Sequence, residues 1–429
     1  MNEPQPLFSP RYVRTVVAML TCAVFIEFFH RQLLAVAMKA IGDDLALSDT
    51  QLGSLVTAFA VAYFVNAIVL GRAADRLPRR VIYPLGIALW SAATAAGASM
   101  AQFSTFFASR VVTGLGQASA GAANSPLLAD YVTPDRRGSA LGLITMGATL
   151  GSLVAGIVGG LVIEHASWRA LFLGGGALGV AFSAVFAFVV REPPRGWSEG
   201  RAHVQSAPVP LGEVLRTIAA VPALLHSVAG AIVNSIAVFA GAQWAVVFFM
   251  RVHDFSQLEA SLTLAGGAFF GTLGALAGGI VANRAWTRNP RAVLLVPALC
   301  CLIAFPVMWG AASLRDTRSA TVLFLLGWAF ALLHSAPAGA VMQALIPDRM
   351  RGFVSGLIAA VLTLVGMGGG PFITGFLSDL FGAATHPESI GRALAWISLL
   401  YVWAAAHFAL AARTFKADLA RGAHNASTS

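Results

Sequence analysis

The sequence predicts an all-α membrane protein: twelve transmembrane helices in two pseudo-symmetric six-helix bundles around a central cavity. Three observations carry this. Hydrophobic residues make up 57% of the 429 residues and charged residues only 11%, against the about 25% charge of a soluble protein. Apolar runs of about 20 residues, enough to cross a bilayer, recur along the chain. Short motifs also repeat at similar offsets in its two halves.

The runs fall at 14–38, 51–73, 81–100, 104–128, 138–163, 168–190, 220–249, 257–282, 292–312, 319–345, 352–378 and 393–412. The first is too long for a signal peptide and lacks a small-residue cleavage site, so it reads as a retained helix. With the N-terminus inside, the inside loops hold 20 of the 28 Lys and Arg residues and the outside loops 6. Both termini are therefore expected in the cytoplasm. The net charge of +9 then reflects membrane orientation, not nucleic-acid binding. Only Lys39 and Lys416 are lysine, and Ala and Gly abound, which suggests a GC-rich bacterial genome and hence an inner (plasma) membrane location. Cys22, Cys300 and Cys301 all lie in apolar stretches and offer neither a disulfide framework nor metal spacing.

The longest polar stretch, Arg191 to Arg216, is rich in Pro, Gly and charge and reads as a cytoplasmic linker. The expected domains are a bundle at 1–190, a linker at 191–217, a bundle at 218–413 and a cytoplasmic tail at 414–429. Gly71-Arg-Ala-Ala-Asp75-Arg76 follows span two, and Gly279-Ile-Val-Ala-Asn283-Arg284 follows span eight, 208 positions later. Pro134-Asp135-Arg136-Arg137-Gly138 before span five likewise matches Pro347-Asp348-Arg349-Met350-Arg351-Gly352 before span eleven. Internal repeats of this kind mark secondary transporters, whose site lies between the halves near the bilayer midplane.

Gly71-Arg-Ala-Ala-Asp75-Arg76-Leu-Pro-Arg79-Arg80 resembles the signature loop of the major facilitator superfamily, G-x-x-x-D-R-x-x-R-R. Arg110-Val-Val-Thr-Gly114-Leu-Gly116 is similar to its span-four motif. Within the superfamily the chain looks most like the Spinster-type group. The matching residues are Asp44-Leu45, Leu47 to Gly53, Trp90-Ser91, Trp168-Arg169 with Phe172, Arg191-Glu192-Pro193-Pro194-Arg195-Gly196, Ala412-Arg413-Thr414 and Asp418-Leu419-Ala420. The resemblance implies alternating access, a monomer, and lipid-like amphipaths as substrates, with protons coupled in some members. Two family carboxylates are replaced. His30-Arg31 stands where the group has Asp-Arg, and Gln117-Ala118 where it has Glu-Ala.

Charge inside a membrane helix costs about 2.5–3.5 kcal/mol on insertion scales, so Glu27, His30 and Arg31 in span one are the foremost site candidates. At 100° per residue all three share a helix face. Either Glu27 merely neutralises Arg31, or Arg31 holds an anionic substrate group while Glu27 or His30 takes a proton. Arg110 and Gln117 share a face of span four. Arg110 is either a coupling residue or a structural one bonded to backbone near the cytoplasmic end. Gln117 can donate to substrate but cannot ionise. Tyr63, Asn66, Asn124, Asn234, Gln243, Trp244 and His334 are cavity-lining candidates that interhelical hydrogen bonding would equally explain.

A cytoplasmic gate is expected from Gly71, Asp75, Arg76, Arg79, Arg80, Asn283 and Arg284. Asp75 would sit at the N-terminus of span eleven, near Gly352 to Ser355, where a carboxylate meets the positive helix end. The arginines also satisfy the positive-inside rule by themselves. Glycines four apart in spans five (Gly147/Gly151, Gly156/Gly160), eight (Gly267/Gly271, Gly274/Gly278) and eleven (Gly366/Gly370) allow close helix approach, read as sliding contacts between the halves. No phosphate-binding G-x-x-x-x-G-K-[ST] loop is present, and neither cofactor nor metal is expected. Intramembrane acids are too few for an enzyme, since Asp130 and Asp379 lie near span ends. A secondary transporter of lipid-like amphipaths or organic anions leads. A small-anion carrier and a non-cycling sensor are the alternatives.

Overall fold

The computed structural model describes residues 8–74, 77–199 and 210–427. With no water to satisfy backbone groups in a bilayer, apolar runs must close their own hydrogen bonds as helices. The chain does this in α1 (Pro10–Asp44), α2 (Asp49–Ala74), α3 (Arg79–Gly97), α4 (Phe103–Tyr131), α5 (Pro134–His165), α6 (Trp168–Val189), α7 (Leu211–Ala220), α8 (Pro222–His253), α9 (Gln257–Arg288) and α10 (Ala292–Ser313). It continues in α11 (Thr317–Leu333), α12 (Ser335–Leu345), α13 (Arg351–Val361), α14 (Gly370–Leu380) and α15 (Ser389–Ser427). The tenth span is α11 and α12, broken at His334. The eleventh is α13 and α14 joined by a π-helix, Leu362–Gly369.

Local chemistry sets the boundaries. Pro opens α5 and α8, where its missing N–H costs nothing. Ser256 and Glu259 form a reciprocal capping box on α9, and Asp316 caps α11 through Ser319 N at 2.8 Å. Asp254, at φ 54°, turns the chain out of α8.

Ten segments among the described residues are long and apolar enough to cross a membrane. The other two of the twelve expected spans, α3 and α4, fall short of that test. Arg110, Gln117 and Asn124 dilute the apolar character of α4, and all three are buried against protein. Large apolar side chains stand exposed along the helices, Phe188, Leu85, Leu276 and Trp396 among them. Such a surface suits lipid, not water.

The chain forms two compact units, Met1–Ala37 with Val61–Ser206, and Met38–Ala60 with Ala207–Ser429. In the first, α3 packs on α4 and α6, around Leu20, Tyr83, Ile87, Trp90, Leu127 and Phe186. In the second, α15 packs on α8 and α10, around Ala240, Cys301, Ala304, Tyr401 and Phe408.

Two expectations need correction. The polar linker contains α7, because Val214 and Ile218 recur at helical spacing and pack beside Leu224, Met350 and Val354. The chain's last helix does not stop near residue 413. It runs on through the expected tail, where buried Asp418 accepts from Ala223 N at the start of α8, at 2.8 Å. The glycine stripes make close contacts inside their own units. A Cβ at Gly151 would lie 2.3 Å from Phe25 O of α1, one at Gly274 2.1 Å from Ala329 O of α11, and one at Gly370 2.3 Å from Ile236 O of α8. Each of these three glycines packs closely on a helix of its own unit.

Candidate functional site

The first unit brings together part of the predicted constellation. Glu27 and Arg31 are one helical turn apart on α1, and the Arg31 guanidinium donates to Glu27 Oε1 at 2.7 Å. Gln117 reaches in from α4. Its Oε1 accepts from both Nε and Nη2 of Arg31 at 3.3 Å, and its amide donates to Glu27 O at 3.4 Å. The Phe28 ring lies 5.0 Å from the guanidinium and the Tyr63 ring 5.5 Å. Gln117 is fully buried and Glu27 nearly so, while the Arg31 side chain keeps 19% of its surface exposed. The arrangement places a guanidinium near two aromatic rings, paired with the Glu27 carboxylate and bonded to the Gln117 carboxamide. Such a group can trade its carboxylate partner for that of an incoming anion.

His30 is not part of this cluster. Its Nδ1 bonds Ile26 O at 2.9 Å, and its ring turns toward Gly179, where an added Cβ would meet it at 2.9 Å. The shared-face expectation fails because His30 and Arg31 are consecutive and stand about 100° apart around α1: Arg31 meets α4, His30 meets α6. Arg110 is also buried and lies near His30. It sits in the second turn of α4, at the other end of that helix from Asp130.

Most other candidates tie helices together. Asn66 donates to Leu115 O at 2.7 Å, and Asn124 to Tyr83 Oη at 3.1 Å. In the second unit His334 Nε2 lies 3.3 Å from Asn234 Nδ2, and Cys301 donates to Asn234 Oδ1 at 3.5 Å. Trp244 donates to Pro371 O at 2.9 Å, and Gln243 to Met38 Sδ at 3.7 Å. Tyr63 lies against the Arg31 guanidinium.

Of the expected gate, Asp75 and Arg76 lie outside the described residues. Gly71, Arg80, Asn283 and Arg284 are exposed. Arg79 is instead buried, donating to Asp130 and, at 2.8 Å, to Glu192 Oε1. Glu192 also accepts from Arg80 N, and Asp130 from Gly196 N, both at 2.8 Å. Arg79 therefore fastens the start of the linker to α3 and α4. Its position in a basic run hid this, since nothing local distinguishes it from Arg80.

A polar network in the second unit also escaped the sequence reading. Asp49, 2% exposed, pairs with Arg251 at 2.8 Å and accepts from Ser378 Oγ at 2.6 Å. Asp379 accepts from the first backbone amides of α2. The only available signal was an acidic residue at each of two span ends.

Comparison with known proteins agrees with the architecture. The profile of the Major Facilitator Superfamily matches residues 20–371. The chain is 28% identical over 393 residues to an MFS-type efflux pump of Mycolicibacterium smegmatis, covering 90% of this chain and 89% of that one. It is 25% identical to the hexuronate transporter of Bacillus subtilis, covering 90% and 93%, and 26% identical to protein spinster homolog 1 of Xenopus tropicalis, covering 89% and 76%. A crystal structure of a bacterial homolog to the human lysosomal transporter Spinster, inward-facing and unoccupied, superposes with a TM-score of 0.86 at 24% identity, over 96% of this chain and 99% of that one. The match to its family profile over residues 20–371 shows that the chain belongs to the Major Facilitator Superfamily of membrane transporters.

Proposed function

We propose that this transporter moves an organic anion with an apolar body, a lipid-like amphipath above all, by alternating access around the Glu27–Arg31–Gln117 cluster. The observation that carries this is the Arg31 guanidinium, close to the Phe28 and Tyr63 rings, with 19% of its side chain exposed. In this reading an anionic head displaces Glu27 from Arg31, and the rings cover the adjoining apolar part. Released Glu27 takes up a proton, so substrate and proton move together. Bundles at 1–190 and 218–413 are the moving halves, with both termini cytoplasmic in a bacterial inner membrane and the monomer as the working unit.

The test is transport of a fluorescent lysophosphatidate probe into proteoliposomes, with and without a pH gradient, against a hexuronate as the compact anion. Arg31-dependent movement of the lipid probe supports the reading. Movement of the hexuronate alone replaces it with a small-anion carrier, for which the Bacillus subtilis relative is the precedent. Binding without movement of either replaces it with a sensor.

A further inference from the structure

At the end of the second unit opposite its C-terminus, a cavity of about 560 Å³ opens among the ends of α8, α10 and α15. Arg251, Arg315 and Arg392 line it, with Glu388 as the one carboxylate and Trp309 and Trp396 as walls. The ion pairs leave positive charge over. Arg251 is matched by Asp49 at 2.8 Å. Arg392 reaches Glu388 only at 3.4 Å, and His386 Nδ1 lies 3.8 Å from the same carboxylate. Arg315 forms no ion pair among the described residues and acts on Glu388 through space. Two guanidinium groups therefore share one carboxylate.

The tryptophans decide the kind of ligand. Their ring centroids are 6.4 Å apart, and 36% of Trp309 and 56% of Trp396 is exposed. Trp at a span end marks the level where headgroups meet acyl chains. Away from the cavity, α10 and α15 continue with exposed apolar residues, Leu302 two turns from Trp309 and Trp403 two turns from Trp396. A soluble anion would use the arginines and leave this apolar path empty. An amphiphile uses both.

We propose that this cavity binds the phosphodiester headgroup of an anionic phospholipid, with Arg315 and Arg392 on the phosphate, Trp309 and Trp396 against the glycerol, and an acyl chain along α10 and α15. The site is separate from the Arg31 cluster and does not rest on the transport reading. Arginine suits it because its planar fork meets two phosphate oxygens at once.

The experiment uses the full chain in phosphatidylcholine nanodiscs. Brominated phosphatidylglycerol or brominated phosphatidylcholine is titrated in, and quenching is taken as the difference between the protein and its Trp309→Phe/Trp396→Phe variant. The expected result is half-quenching by the anionic lipid at about tenfold lower mole fraction, since each arginine at a headgroup surface contributes a severalfold preference. Arg315→Ala/Arg392→Ala should abolish that preference, and Glu388→Gln should increase it, which a merely structural role for these exposed side chains would not do. Equal quenching by the two lipids overturns the proposal, as does a preference that survives in the double variant. Displacement of the anionic lipid by millimolar glycerol phosphate also overturns it, in favour of a site for soluble phosphate esters.

Discussion

Asp379 caps α2 through Thr50, the helix's second residue: its Oδ2 accepts from Thr50 N at 2.8 Å and Thr50 Oγ1 at 2.6 Å, and its Oδ1 from Asp49 N at 3.1 Å. These orphan amides carry the positive end of the α2 dipole, so a carboxylate there is favoured by up to about 2 kcal/mol. The seam continues down both helices. Thr57 donates to Gly368 O at 2.6 Å, and a Cβ at Gly53 would lie 2.6 Å from Pro371 O. A carboxylate at the far end of span two was expected to cap span eleven; here the end of span eleven caps the start of span two.

Asp379→Asn should loosen this seam and shift the protein toward conformations in which it is open. The expected change in the closed-to-open ratio is roughly tenfold, from the loss of about 1–2 kcal/mol of charge–dipole and charged hydrogen-bond energy. Distances between spin labels at Ser48 and Ala384 measure it. An unchanged distribution would show that Asp379 does not hold the seam.

Arg31→Ala should abolish transport of the proposed anion while leaving expression intact. Losing one charge-assisted contact costs about 1.5–3 kcal/mol, or about 10–100-fold in rate. Arg31→Lys should recover little, because an ammonium cannot span Glu27 and Gln117 together. Wild-type uptake in Arg31→Ala would remove this residue from the site.

Gln117→Glu should steepen the pH dependence that Glu27 gives to anion binding. The new carboxylate would lie beside Arg31 and compete with the substrate when ionised. Affinity should then fall by about tenfold at neutral pH and recover as acid protonates the added group. Calorimetric titration across pH checks the sign, and an affinity flat with pH would place the substrate elsewhere.

Arg79→Ala should destabilise the protein strongly and Arg80→Ala hardly at all. Arg79 is buried between Asp130 and Glu192, and removing one partner of a buried pair costs about 3–5 kcal/mol. Arg80 is exposed and uses only its backbone N–H on Glu192. Thermal unfolding in detergent separates the two, and equal midpoints would refute the assignment.

Much of this protein was legible because it is local. Apolar run length fixed the helices, since a bilayer leaves the backbone no other partner. The pairing of Glu27 with Arg31 followed from their four-residue spacing alone. What lies opposite a helix face is not local. His30 shares a face with Arg31 in sequence but packs toward α6. The glycine stripes announced close contact but not with whom.

The sequence by itself determined the all-helical membrane architecture, the family, and the one turn of α1 that holds charge in an apolar span. Only the tertiary structure decided that Gln117 completes the Arg31 cluster, that Arg79 rather than Arg80 is buried, and that Asp379 caps α2. The physical reason is that periodicity specifies which face of a helix is polar, whereas the partner on that face comes from residues tens to hundreds of positions away, brought there by packing.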